Sequence, residues 1–84
     1  MSLRKLDTYC NVISENLKKF RTEKEYSQAD LAKELNLLGI NMHKNDIQLI
    51  EANKRTVKDF EIWGLMKVFN VTFEQLIEGI ESKI

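Results

Sequence analysis

The chain has no proline and only three glycines in 84 residues, so there are few points at which the backbone is made to reverse. A many-stranded sheet needs a turn residue between successive strands, whereas a helical bundle needs only short loops. Apolar spacing points the same way. Tyr9, Ile13, Leu17 and Phe20 recur at intervals of four, four and three, with Val12 beside them, which makes one stripe along a helix predicted over 7–25. Ser27 can cap a second helix, and Asp30 sits near the positive end of its dipole. Leu31, Ala32 and Leu35 form its inner face before Gly39 stops it near 37–38. Gly39, Ile40, Asn41 and Met42 read as a turn, with glycine free to take a positive φ.

A third helix is predicted over 44–52, with His43 or Asn41 as its cap and Ile47 and Ile50 turned inward. Asn53 follows it, the second-best residue for a left-handed exit after glycine. A fourth helix over 59–69 carries Phe60, Ile62, Leu65, Met66 and Phe69, more apolar surface than one stripe needs. Thr72 and Gln75 form a capping box that opens a fifth helix with Phe73, Leu76 and Ile77, ending near Gly79. The expectation is one all-α domain over 1–84, its core spanning about 7–79.

Formal net charge is zero, but the charge is unevenly placed. Residues 1–58 hold eleven Lys/Arg against eight Asp/Glu, a balance of +3, and residues 59–84 hold two against five, a balance of −3. A basic body with an acidic end suits one face that meets phosphate, or else simply solvated helix faces. No apolar run approaches the roughly 20 residues that cross a bilayer, and the first residues lack the apolar core of a signal peptide. A single cysteine, Cys10, cannot form an internal disulfide and points to a reducing, cytoplasmic setting, where it is expected to be buried or half-buried.

Two short helices that cross steeply need a small residue at their closest approach, which Ala32 supplies, and aliphatic residues on the facing helix, which Ile47 and Ile50 supply. The outer face of the second of these helices is then free to enter a DNA major groove, which admits one helix. At these residues the chain resembles the Cro/C1-type (XRE) family of phage and bacterial helix-turn-helix repressors. The resemblance rests on Asn16 to Arg21, on Tyr26 to Ala32, on Ile47 to Arg55 and on Phe69 to Leu76, in order. Two departures stand out. The turn between Leu31 and Ile47 is longer than the usual pattern, as in a subgroup with a Gly-Ile-Asn turn, and Asn53 occupies a position that is usually glycine.

The resemblance implies a five-helix, lambda-repressor-like DNA-binding domain. It assigns Gln28 to a phosphate, Lys44, Asn45 and Gln48 to base edges, and Lys54 and Arg55 to the DNA backbone. Lysine can donate to guanine, and Asn or Gln can pair with adenine. His43, the only histidine, is read as a helix cap or phosphate contact, and no metal or other cofactor is expected. Glu51 is expected to be structural, paired with a base such as Arg21. Asp46 is unwelcome near phosphate, and Leu49 either meets a thymine methyl or packs. Trp63 lies off the main face of its helix, at a subunit contact or over the edge of the core; Ile80 and Ile84 are further candidates for a dimer contact.

The function implied is a sequence-specific transcriptional regulator, a repressor acting as a homodimer on an inverted repeat of double-stranded DNA. The alternative is a protein-interaction module of the same fold: an antitoxin, antirepressor or assembly subunit. No paired-carboxylate, nucleophile–base or phosphate-loop arrangement points to an enzyme.

Overall fold

The structure is a computed structural model that describes residues 8–83. Within them lie α1 (Ser14–Glu23), α2 (Gln28–Leu37), α3 (Lys44–Glu51), α4 (Asp59–Phe69) and α5 (Phe73–Leu76), closed by a 3-10 turn at Ile80–Lys83. The fold is all-α, as the scarcity of breakers requires. Ile13, Leu17, Leu31, Ala32, Leu35, Ile47, Ile50, Leu65, Phe69 and Leu76 are buried together with Ile40 and Met42 in one core. Phe20 of α1 meets Phe69 of α4 with ring centroids 5.9 Å apart.

The first helix begins at Ser14, not near residue 7. Asn11 explains the difference. Its Oδ1 accepts the Ile13 amide at 3.0 Å, and a side chain that binds nearby backbone in this way competes with helix formation. Tyr9 therefore precedes the helix and does not extend its stripe, and Cys10 is exposed rather than buried. The α2 cap is fuller than expected. Ser27 Oγ accepts the Asp30 amide at 3.0 Å, and Asp30 Oδ2 accepts the Ser27 amide at 2.9 Å, so the shorter carboxylate does close the capping box.

The lengthened turn is part of the core. Gly39 takes a φ of +88°, and the chain then sends Ile40 and Met42 inward, 5% and 1% exposed. Asn36 fixes this path by donating its Nδ2 to Ala32 O at 2.7 Å and to Met42 O at 2.8 Å. Gly64 of α4 receives the turn, since a Cβ there would overlap Cδ1 of buried Ile40 and lie 3.0 Å from Leu35 Cδ2. Surplus apolar surface on the last two helices stays outside: Phe60 is 51% exposed and Phe73 45%. The fifth helix is a single turn, shorter than the capping box and its apolar residues suggested.

Gly64→Ala is predicted to lower the melting temperature in a thermal unfolding scan. Overpacking costs about 1–3 kcal/mol, and it outweighs the gain of up to ~1 kcal/mol that alanine brings to a helix interior. A raised melting temperature would contradict the close approach of turn and helix.

Candidate nucleic-acid interface

α3 is eight residues long and anchored at three levels. At its start, Asp46 Oδ2 accepts the His43 amide at 2.9 Å. Along its inner face Ile47 and Ile50 are fully buried. At its end Glu51 is gripped from two helices. Arg21 donates Nε to Glu51 Oε2 at 2.6 Å and Nη2 to Oε1 at 3.1 Å, and Gln28 Nε2 reaches Oε1 at 3.1 Å. Arg21 also donates Nη1 to Tyr26 O at 2.8 Å, which ties the α1–α2 loop into the same cluster. The expected pairing of Glu51 with Arg21 is present.

With the inner face committed, His43, Lys44, Asn45 and Gln48 are exposed, as are Leu49 (42%) and Lys54. The structure thus brings Lys44, Asn45 and Gln48 together on the outer side of one helix. Gln28, at the first position of α2, is half-buried and bonded to Glu51, so one of its amide protons is used inside the fold.

Arg55 is likewise engaged within the fold. Its Nη1 and Nη2 donate to Glu61 Oε1 and Oε2, each at 3.0 Å, and its Nε lies 3.6 Å from Asp46 Oδ1. Glu61, 2% exposed, was not singled out from the sequence; its one signal was a charged residue within an otherwise apolar helix face. Burial pushes the Glu61 carboxyl up, but the Arg55 hydrogen bonds and the Lys58 amide outweigh it and hold the group below its usual range. The same hydrogen bonds keep Arg55 more firmly protonated. Asp46, the carboxylate unwelcome beside phosphate, is partly neutralised by this guanidinium.

A family model described as helix-turn-helix matches residues 17–76, which run from α1 through α5. The chain belongs to the Cro/C1-type (XRE) helix-turn-helix family. Comparison with curated proteins and with solved structures returns no match. This helix-turn-helix chain is accordingly a DNA-binding regulator of lambda-repressor-like fold, from a family of double-stranded-DNA binders rather than enzymes. Among the described residues no helix is long and apolar enough to cross a membrane, and no group of three or more His, Cys, Asp or Glu residues could hold a metal.

Of the residues proposed for a dimer contact, Trp63 is 47% exposed, with Lys67 Nζ 6.0 Å from its ring centroid. Ile80 is half-buried in the closing turn, and Ile84 lies outside the described residues. Leu37 (73% exposed) and Leu38 (40%) were not foreseen as surface.

A carboxylate whose pKa is lowered by folding stabilises the fold above its unfolded pKa, and that contribution is lost as pH falls through the lower folded value. Glu61→Gln is predicted to cost roughly 1.5–3 kcal/mol at neutral pH, the range for a charge-assisted hydrogen bond. The gap between wild type and Glu61→Gln in urea unfolding should shrink as pH drops below about 4.3, the ordinary glutamate value. A gap that stays constant down to strongly acidic pH would refute the Arg55–Glu61 ion pair.

Proposed function

We propose that this protein is a sequence-specific transcriptional repressor that inserts α3 into the major groove of its operator. The observation that carries this reading is the division of α3 into two faces. Ile47 and Ile50 are at 0% exposure, while Lys44, Asn45 and Gln48 stand free on the other side. Lysine donates to guanine O6 or N7, and the two amides match adenine N6 and N7. Leu49 is placed to meet a thymine methyl. The remaining Gln28 amide proton and the first backbone amides of α2 approach one phosphate, as a helix N-terminus favours. Lys54 supplies a cation to the next stretch of backbone, with His43 beside the start of α3. Arg55 contributes chiefly by holding Asp46 and the loop after α3 in place, because its guanidinium is already paired.

In this reading the whole chain acts as one domain in the cytoplasm, and two copies bind an inverted repeat with half-sites about one helical turn apart. Exposed Trp63 and half-buried Ile80 are the residues offered for pairing. The second reading, a module that binds another protein, draws on the exposure of Leu37, Phe60 and Trp63. The two readings separate experimentally.

Lys44→Ala/Asn45→Ala, folded by circular dichroism, should bind the duplex that wild type selects from a random library at least about fivefold more weakly, the lower end of what one base contact supplies. Lys54→Ala should weaken binding to all sequences alike and reduce the slope of log affinity against log salt by about 1. Wild-type affinity in the double substitution would contradict the major-groove reading and favour the protein-binding module.

A further inference from the structure

The recognition helix is two turns long, so the path of the chain at its end decides where Lys54 stands. Asn53 leaves α3 in the left-handed conformation, at a φ of +59°. Glycine would satisfy that backbone equally well, yet the asparagine side chain is in use. Its Oδ1 accepts the amides of Cys10 at 2.9 Å and Asn11 at 3.0 Å, more than forty residues away in sequence. Asn11 answers from the other side. Its Nδ2 donates to Ile50 O at 3.1 Å, within the last turn of α3, and to Arg55 O at 2.9 Å, just past Lys54. One amide group therefore spans the loop on both sides of Lys54, and Asn11 Oδ1 is itself fixed by the Ile13 amide at the head of α1.

We propose that Asn11 and Asn53 form a reciprocal clasp whose role is to position the end of the recognition helix and Lys54 for DNA. Both are positioning residues, acting through the backbone they hold and not by touching DNA. The asparagine at 53 is thus a gain over glycine and not a tolerated substitute. The clasp also joins the recognition helix to the segment before α1, so the groove-facing end of α3 moves with the body of the domain. This inference rests on the DNA-binding reading above and adds residues that reading does not contain.

The test compares wild type, Asn53→Gly, Asn11→Ala and the double substitution, well below their melting temperatures. Each is titrated against a fluorescein-labelled duplex that wild type enriches from a random library, and against the unenriched library. Backbone amide exchange is measured at Cys10 and Asn11. Each single substitution should weaken the enriched duplex about five- to tenfold, as expected for hydrogen bonds that position a contact, and the unenriched library by less than about twofold. The double substitution should lose no more than the weaker single variant, because both residues serve one unit. Exchange at Cys10 and Asn11 should accelerate in Asn53→Gly, whose left-handed φ glycine accepts without strain; this variant keeps the test alive if Asn11→Ala fails to fold. A folded Asn53→Gly that binds both duplex pools as wild type does, loses both equally, or shows losses that simply add with those of Asn11→Ala overturns the clasp alone. Failure of wild type to enrich any duplex overturns the DNA-binding reading and the clasp with it.

Discussion

The Glu51 carboxylate is where α1, α2 and α3 meet, with Arg21 and Gln28 sharing its two oxygens at 2.6–3.1 Å. Its side chain is 6% exposed and that of Arg21 12%. Removing a charge from water to this degree is costly, and only close, multiple hydrogen bonds offset it. The geometry is therefore strict. A shift of α3 along its axis would break the pair and leave a buried charge unpartnered, so α3 is fixed in rotation as well as position. That rotation is what turns Ile47 and Ile50 to the core and leaves Lys44, Asn45 and Gln48 outside. The same cluster draws Gln28 inward, so the first residue of α2 serves the fold before it serves any ligand.

Around this centre the domain is fastened by asparagine amides that each bridge two carbonyls. Asn36 ties the lengthened turn to α2, and Asn16 ties α1 to the end of α5 through Leu76 O at 2.7 Å and Glu78 O at 2.8 Å. Asn11 does the same for the loop after α3. Helix ends leave carbonyls without partners inside the helix, and five short helices among the described residues bring many such ends. Arg55 and Glu61 complete the arrangement by joining that loop to the first turn of α4.

What could be read from the sequence follows from how local each cause is. The caps at Ser27 and Thr72, the inward Ile47 and Ile50, small Ala32 and the pairing of Glu51 depend on spacing within a helix or on a family pattern, and they stand as expected. The start of α1 differs because Asn11 binds the Ile13 amide and is itself held by carbonyls some forty residues away, which periodicity does not register. Ile40 and Met42 read as turn residues from Gly39 and Asn41 beside them, and two large apolar residues alternating after a glycine were the available signal of their burial. The pairing of Arg55 with Glu61 was not legible, because Glu61 lies in the next element and only the folded chain brings them together. For the candidate interface, sequence alone marked the exposed residues of α3 and the Glu51–Arg21 pair, but not the Asn11–Asn53 hydrogen bonds or the Arg55–Glu61 pair.

The outer face of α3, held by Glu51 and the loop after it, is the surface proposed to meet DNA. The most direct measurement is a titration of the isotope-labelled protein with a short duplex that it selects, followed by backbone amide resonances. The largest shifts are expected at residues 43–49, at Gln28 and at Lys54, with little change along the exposed side of α4 around Phe60 and Trp63. Shifts centred instead on Leu37, Leu38 and Trp63, with α3 unmoved, would contradict it.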